Sequence, residues 1–301
     1  MTSSHPTIYT ESYNDSLTLL AQQTQPRLRP FVRPAQEGTG ETFFWDRLAA
    51  TAAIEVTDRF AELTFADPEF TRVGCTPRPF AATGRLSERD ILRGIIDPTN
   101  AVLQNMVASL ARQFDLMVYQ ALGADVKLGR SGASTEALPA AQKIAVNSHA
   151  FDADAGSGDV GLTYYKMLSA LAILRNAGID PLVEDVVLAC TATQKMDLVS
   201  AARGSSRDYV SQMPLETGAL DLFLGVKLID IVPEAAEALS GGDRFVYMFA
   251  KRGVGGAVLS DIKGEINKDP KALDAFLLKA WMDMDFARID PKMVVQIACN
   301  V

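Results

Sequence analysis

A long amphipathic helix in the first half of the chain most limits how this sequence can fold. Asp97-Pro98 starts it, because an acidic N-cap residue is followed by proline at the first helical position. Apolar residues then recur at steps of three and four up to Gly123; they are Leu103, Met106, Leu110, Phe114, Met117 and Ala121. The spacing predicts a helix over 98–122, about 37 Å long. This is unusually long for a domain of this size.

The first 45 residues differ in character from the rest of the chain. Prolines at 26, 30 and 34 favour an extended, polyproline-like backbone that cannot join a compact helix. A disordered tail is one interpretation of such a segment. An arm that docks on another surface is the favoured one, because the segment carries anchors that a solvated tail would lack: Arg27, Arg29, Arg33, Phe31, Val32, Phe43, Phe44 and Trp45.

Residues 46–96 have an irregular, β-rich pattern. Apolar residues alternate loosely with charged ones between Ile54 and Leu63, and a polar, turn-rich stretch follows from Asp67-Pro68. This segment has too little apolar surface for a core of its own. We therefore expect two long, charged strands joined by a loop, as a hairpin that needs a neighbour to cover it.

The region from about 160 to 260 predicts an α/β subdomain. Thr163 is the N-cap of a second amphipathic helix, and EDVVLACT at 184–191 has the continuous apolar run of a buried strand. Thr191 and Gln194 then form a capping box for a third, shorter helix. Helix, strand and helix at this spacing indicate one compact unit.

The last forty residues contain one ambiguous and one clear segment. KALDAFLLKAWMDMDF at 271–286 fits the period of a helix about as well as that of a strand, so both remain open. MVVQIACNV at 293–301 predicts a terminal strand.

Few residues in the sequence could carry out catalysis. The only histidines are His5 and His149, so no metal pair and no Cys–His nucleophile can be assembled. The acidic stretch 152–159 lacks the glycine and the glutamate that an EF-hand needs. Glycine clusters at 241–242 and 253–256 match no phosphate-binding loop, and turns between strands explain them. We predict no catalytic residue, no cofactor and no metal, and therefore not an enzyme.

Charge and cysteine usage narrow the function further. The net charge of -8 argues against a protein that reads nucleic-acid sequence, which would show a strong basic patch. Cys75, Cys190 and Cys299 are far apart and form no CxxC pair, so reduced, buried thiols are expected. The N-terminus lacks the pattern of a secretory signal, and no apolar stretch approaches the length that spans a bilayer.

Four stretches resemble the major capsid proteins of tailed bacteriophages, in the phage capsid-like branch of the Hong Kong 97 fold. They lie at 84–124, which includes the Asp97-Pro98 start and ARQFD at 111–115; at 168–201; at 211–232, with LFLGVKLIDIV; and at 288–300, RIDPKMVVQIACN. Each motif alone is modest, and their order and spacing carry the resemblance. It covers about 40–301, while the first forty residues have no distinctive motif.

The resemblance implies an α+β fold with the parts of that family. They would be an N-terminal arm at 1–45, an E-loop hairpin at 46–92, a P-domain at 93–159 and 262–301 with its spine helix at about 98–122, and an α/β A-domain at 160–261. It also implies the function of a major capsid protein, which self-assembles as pentamers and hexamers into an icosahedral head around double-stranded DNA.

Further expectations concern partners and location. The resemblance implies portal and scaffolding proteins and possible decoration proteins as partners, DNA enclosed without sequence-specific binding, and no membrane. The protein would be made in the cytoplasm of a bacterial host and end in the virion. Candidates for contacts between subunits are the arginines and aromatic residues of the arm and the charged residues of the hairpin: Arg27, Arg29, Arg33, Phe44, Trp45, Arg47, Arg59, Glu62, Asp67, Glu69 and Arg72.

Two alternatives remain beside the phage head. The same fold forms the shell of encapsulin-type nanocompartments, which hold a cargo enzyme in place of DNA. A small α/β enzyme that uses the 160–260 region, with a metal on the 152–159 loop, is the alternative from another class; it predicts a pocket lined by convergent polar groups.

Overall fold

The computed structural model of the chain describes residues 22–51, 53, 55, 67–87, 99–148, 158–200, 222–231, 243–269 and 275–300. The helices in these ranges are α1 (Thr99–Gly123), α2 (Tyr164–Asn176) and α3 (Ala192–Ser200). The strands are β1 (Gln36–Glu37), β2 (Phe43–Leu48), β3 (Phe70–Cys75), β4 (Arg78–Leu86), β5 (Val126–Leu128), β6 (Ser134–Glu136), β7 (Lys143–Ile144), β8 (Val186–Thr191), β9 (Leu222–Phe223), β10 (Val226–Ile231), β11 (Arg244–Ala250), β12 (Val254–Asp269), β13 (Ala275–Arg288) and β14 (Val294–Cys299).

Helix α1 confirms the long helix that the apolar spacing predicts, shifted by one residue. The predicted start at Asp97-Pro98 lies outside the described residues. The buried side of α1 includes Leu110, Phe114 and Met117, which belong to one large core cluster with residues of two different sheets. No helix in the described part of the chain is both long and apolar enough to cross a membrane.

The surface under α1 is a four-stranded sheet with the order β1-β12-β13-β4. The ambiguous segment 271–286 is a strand where it is described, from residue 275 onward. Leu278, Ala280, Met282 and Met284 are buried, while the residues between them are partly exposed. This alternation has the period of a strand, and the apolar face packs against α1, with the Phe114 and Phe286 rings edge to face at 4.9 Å.

A second sheet of six strands has the order β7-β14-β11-β8-β10-β9 and forms the α/β unit. Strand β8 is buried along its whole length: Val187 and Ala189 pack in the cluster that contains α1, and Leu188 and Cys190 pack in the cluster that contains α2. The sheet therefore lies between the two helices, which explains the continuous apolar run of β8.

The sheets divide the chain differently from the predicted segments, whose limits stay predictions. The terminal strand β14 is present as predicted, and it lies between β7 and β11. Strand β4 lies within the predicted hairpin 46–92, yet it pairs with β13. In the described part of this region, β2 and β3 pair with each other, in a third sheet of order β2-β3-β5-β6. Apolar periodicity shows which faces are buried but not which strand is the neighbour.

The predicted caps of α2 and α3 are confirmed. Thr163 Oγ1 accepts a hydrogen bond from the backbone N of Lys166 at 3.3 Å. Gln194 Oε1 accepts one from the backbone N of Thr191 at 2.9 Å, which is the return half of a capping box. Lys166 itself is fully buried, and its Nζ donates to the carbonyl oxygens of Val160 and Ala298 at 2.7 and 2.8 Å. Burial lowers the pKa of this amine.

Glycines 255 and 256 lie within strand β12 and not in a turn, which corrects the expectation for this cluster. A Cβ added to Gly255 would lie 2.7 Å from Trp45 Cε2 and 2.9 Å from Ile289 Cδ1, and one added to Gly256 would lie 2.7 Å from Phe286 Cε1. These glycines therefore allow aromatic rings to pack directly on the strand backbone.

All three cysteines are free and buried, as predicted. Burial raises the pKa of the Cys190 and Cys299 thiols to about 12, from an ordinary value of 9.0. Between these values the unfolded chain releases protons that the folded chain keeps, so stability falls as pH rises. We expect a loss of about 1.4 kcal/mol per pH unit for each thiol above pH 9.

Urea unfolding at a series of pH values from 8 to 11 measures how the free energy of unfolding depends on pH. Cys190→Ala should make this dependence shallower by the contribution of one thiol, about 1.4 kcal/mol per pH unit. The pH dependence of the variant is compared with that of the unmodified chain, so a constant packing loss cancels. Equal slopes for the two proteins would contradict the prediction.

Candidate subunit interface

From residue 22 onward the N-terminal arm lies on its own subunit. Leu28 and Val32 are buried in the core cluster that contains α1. Arg33 N donates to the Val254 carbonyl oxygen at 3.2 Å, and β1 then pairs in parallel with β12. This part of the arm docks as predicted, but the surface it docks on belongs to the same chain.

A buried carboxylate on α1 holds the arm. Asp115 is 2% exposed, and its Oδ2 accepts hydrogen bonds from the backbone N of Arg27 at 2.9 Å and from Gln23 Nε2 at 2.5 Å. Its Oδ1 accepts from the backbone N of Leu28 at 3.0 Å. Burial raises the pKa of this carboxyl, and the hydrogen bonds from the arm act in the opposite direction. Beside it, Arg112 Nη1 donates to Gln22 Oε1 at 2.7 Å.

The arm arginines, predicted as contacts between subunits, have partners within the chain. Arg27 Nη1 donates to the Asp230 carbonyl oxygen at 2.9 Å, and Arg29 forms an ion pair with Asp261. All three side chains are exposed, and contacts of these residues with another subunit stay a prediction.

Trp45, another predicted contact, is 5% exposed and belongs to the core. Its ring packs in a cluster with Val73, Ala257 and Ile289, and lies over the backbone of Gly255. The ring therefore attaches the hairpin to the long sheet of its own subunit. An aromatic residue at the end of an arm looks the same in sequence whether its cavity is in its own subunit or in the next one.

Phe44 and Arg72 cover the outer side of the hairpin. Arg72 Nε and Nη2 donate to the two carboxylate oxygens of Asp46 at 2.6 and 3.0 Å, and the guanidinium lies 5.5 Å from the centre of the Phe44 ring. The hydrogen bond from Arg72 lowers the pKa of Asp46. Both charged side chains remain about half exposed.

Two arginines join the base of the hairpin to the rest of the fold. Arg47 Nη1 donates to Glu136 Oε2 at 2.8 Å and to the Ile289 carbonyl oxygen at 3.2 Å. Arg288 is 1% exposed; its Nη1 donates to the Leu122 carbonyl oxygen at 2.7 Å and its Nη2 to the Glu136 carbonyl oxygen at 3.1 Å. Burial lowers the pKa of the Arg288 guanidinium. Nothing in the local sequence pattern around Arg288 marks this residue as buried.

The last residue pair of the β2–β3 ladder is exposed. Leu48 and Phe70 pair across the two strands and are 59% and 74% exposed. Asp67 and Glu69 beside them are exposed as well. The remaining predicted contacts, Arg59 and Glu62, lie outside the described residues.

A cleft of about 770 Å³ lies between the end of α1, the base of the hairpin and β11. Several polar groups of its wall are paired: the Tyr119 hydroxyl donates to the Phe245 carbonyl oxygen, and Arg78 pairs with Asp285 at 3.1 Å. Burial raises the pKa of the Cys75 thiol in its wall, which keeps the thiol protonated.

Other chemistry is sparse in the described ranges. No group of three or more His, Cys, Asp or Glu residues there could hold a metal ion. His149 and most of the 152–159 loop lie outside those ranges. The described residues therefore form exposed surfaces on a subunit whose arm, hairpin and sheets are held together by buried contacts.

Comparison with known proteins gives one consistent result. A sequence model of a family described as phage capsid protein matches residues 6–301. The solved capsid asymmetric unit of cyanophage Pam1 superposes with a TM-score of 0.74 at 14% identity, over 99% of this chain and 98% of that one. The capsid structure of cyanophage P-SCSP1u gives 0.72 at 15% identity, over 98% and 94%. A Mycobacterium phage Che8 structure gives 0.69 at 14% identity, over 98% of each chain. No curated protein matches the sequence.

Proposed function

This chain belongs to the phage capsid protein family, and on that premise we propose that many copies of it form the icosahedral head of a tailed phage around double-stranded DNA. The observation that carries the proposal is the family match over residues 6–301, because it covers the arm, the hairpin and both large sheets together. The chain is a major capsid protein with the α+β fold of tailed-phage capsids.

The shape of the subunit supports a role in tiling. Large apolar side chains remain exposed on both the hairpin and the α/β unit. One surface pattern repeated over a closed shell can add many weak contacts into a stable assembly. Each exposed ion pair contributes only about 0–1 kcal/mol, so repetition has to supply the stability.

The partners follow from this role. Pentamers and hexamers of the chain itself form the shell, with a portal at one vertex and scaffolding and possible decoration proteins during or after assembly. The net charge of -8 suits a wall that encloses DNA without binding it tightly, since tight binding needs many cationic contacts to phosphate. The protein is made in the cytoplasm of its bacterial host and ends in the virion.

The role is structural and not enzymatic. The capsid family supports this, and in the large cleft the Tyr119 hydroxyl and the Arg78–Asp285 pair are engaged within the cleft wall. An encapsulin-type shell would use the same fold around a protein cargo. The family match favours the phage head over that alternative.

Electron microscopy of the purified protein after size-exclusion chromatography tests the proposal. We expect closed or partly closed shells, or pentameric and hexameric rings, because the exposed surfaces of one copy need other copies to cover them. Nuclease-resistant DNA in shells taken from phage-infected cells would distinguish a phage head from a cargo compartment. A monomer or dimer peak that persists with added salt and crowding agent would overturn the proposal.

A further inference from the structure

The cleft at the end of α1 lies where all three sheets of the fold meet. Its walls come from β3 and β5 of the hairpin sheet, β13 of the long sheet, and β11 and β14 of the six-stranded sheet. Its volume of about 770 Å³ is within the range of about 300–1,000 Å³ that is typical of sites for small organic molecules. A molecule bound in this cleft would contact the three sheets and α1 at the same time.

The inside of the cleft is apolar and largely aromatic. The rings of Tyr119 and Tyr247 meet edge to face with 4.8 Å between their centres, and Phe245 lies beside Tyr247 at 6.4 Å. Met117 and Phe286 belong to the same lining, and both are buried in the core cluster that contains α1. Walls of this kind pack well against the faces and edges of other aromatic rings.

Several polar groups of the lining are bound to each other. Gln296 Nε2 donates to the Tyr247 hydroxyl oxygen at 3.0 Å. Arg78 Nε and Nη2 donate to the two carboxylate oxygens of Asp285 at 3.1 and 3.2 Å. A ligand that competed for these groups would first have to break their hydrogen bonds, so a ligand with few polar groups is favoured.

The cleft has no excess of positive or negative charge. Its lining contains two cationic side chains, Arg78 and Lys127, and two anionic side chains, Asp125 and Asp285. Burial raises the pKa of the Cys75 thiol, which therefore stays uncharged. Asp125 and Lys127 are exposed, so water and salt screen their charges. Neither a cation nor an anion therefore finds an unbalanced counter-charge in this cleft.

We propose that this cleft is a binding site for an uncharged molecule built of flat aromatic rings. The aromatic walls supply apolar contact area and ring packing, and the balanced charge of the lining selects against ions. Because the walls belong to three sheets, the bound molecule fixes the hairpin sheet against the α/β unit. The site goes beyond the proposed function and does not depend on it.

Binding is measured with N-phenylnaphthylamine, an uncharged aromatic dye whose fluorescence increases in apolar surroundings. Titrated into the full chain, the dye should saturate at one molecule per subunit, both before assembly and in finished shells. Amide hydrogen exchange should slow in β5 and β11, which belong to different walls of the cleft. This second measurement needs no variant, and protection confined to other parts of the chain would overturn the inference.

Variants that narrow the cleft test the position of the site. Ala124→Trp after the end of α1 and Thr76→Phe on the hairpin side should each weaken dye binding about tenfold, because the new side chain takes the space of the ligand. Ala133→Trp is the matched control, since Ala133 is exposed and lies outside the cleft. Leu182→Ser is a second control, because it removes an apolar side chain that is 80% exposed elsewhere on the subunit. Both controls should bind the dye as the unmodified chain does.

Dye binding that is unchanged in both narrowed variants, or lost in Leu182→Ser, would show that the dye binds elsewhere and would overturn the inference. Release of the dye on assembly would assign the cleft to another copy of the chain, and would overturn it as well. Shell formation is scored separately by electron microscopy, so a failure of this site leaves the proposed function intact.

Discussion

Replacing Asp115 with alanine is expected to detach the N-terminal arm and to lower the free energy of unfolding by about 3 kcal/mol. The carboxylate is 2% exposed and accepts hydrogen bonds from Gln23 Nε2 and from the backbone N of Arg27 and Leu28. Alanine removes the acceptor for all three donors: Gln23 Nε2 keeps its hydrogen bond to the Gln25 carbonyl oxygen, but the backbone N–H groups of Arg27 and Leu28 lose the carboxylate that they bind. Urea denaturation followed by circular dichroism measures the loss.

Limited trypsin digestion reports on the arm itself. Arg27–Leu28 is the only bond before Arg47 that trypsin should cut, because proline follows Arg29 and Arg33 and the segment contains no lysine. In the unmodified chain the Leu28 side chain is buried and its amide is bound to Asp115, so the bond is protected. The alanine variant should lose residues 1–27 under conditions in which the remainder stays intact.

Asp261→Ala is the matched control for Asp115→Ala. It removes the exposed ion pair between Asp261 and Arg29 on the same arm, which should change stability by about 0.5 kcal/mol or less. If both variants resist trypsin equally, the arm is held by the burial of Leu28 and Val32 and not by the carboxylate.

The arm also shows how far the sequence could be interpreted. Prolines and apolar anchors predict a docking segment, and the segment docks from residue 22 onward. The identity of the docking surface could not be predicted, because the contacts join residues 87 to 92 positions apart. The helical period of α1 alone suggests a solvated side chain for Asp115, because it falls outside the apolar positions.

The sheets show the same division between local and distant information. The strand period of β13 is clear once the buried set from Leu278 to Met284 is known, but large apolar residues on both faces hide it in the sequence. Strand β14 is recognisable as buried, yet only tertiary pairing places it beside β11. Helix α1, by contrast, was predicted to within one residue because its signal is local and long.

The candidate contact residues fall into two groups, those buried within their own subunit and those exposed on its surface. Trp45 and Arg47 fill positions inside their own subunit, whereas Asp67 and Glu69 remain exposed beside Phe70. All of these residues are of types that commonly form contacts. Whether one of them is buried in its own subunit depends on distant residues, as Trp45 depends on Gly255, more than 200 positions away. The exposed Leu182 and Val183 were not singled out, because two apolar residues after a turn are unremarkable in sequence.

Replacing Arg288 with alanine is expected to lower the free energy of unfolding by about 4 kcal/mol, the largest effect of any single substitution proposed for this chain. The guanidinium connects helix α1 with strand β6, because it donates to the Leu122 carbonyl oxygen at the end of α1 and to the Glu136 carbonyl oxygen of β6. The last carbonyl oxygens of a helix have no partner within the helix, so a cation there both completes a hydrogen bond and favours the helix dipole. Alanine removes both of these hydrogen bonds and opens a cavity at the base of the hairpin.

Arg288→Lys separates the hydrogen bonds from the charge, because one ammonium cannot span the two carbonyl oxygens that a planar guanidinium reaches together. It should recover only part of the loss in urea denaturation, and amide hydrogen exchange should accelerate in β5 and β6, which join the hairpin sheet to α1. Arg85→Ala is the control, since it removes an ion pair with Asp269 whose arginine is 65% exposed and should cost about 0.5 kcal/mol or less. An Arg288→Met variant as stable as the unmodified chain would show that packing alone holds this joint, and the hairpin would then depend on Trp45 and Arg47 for its position.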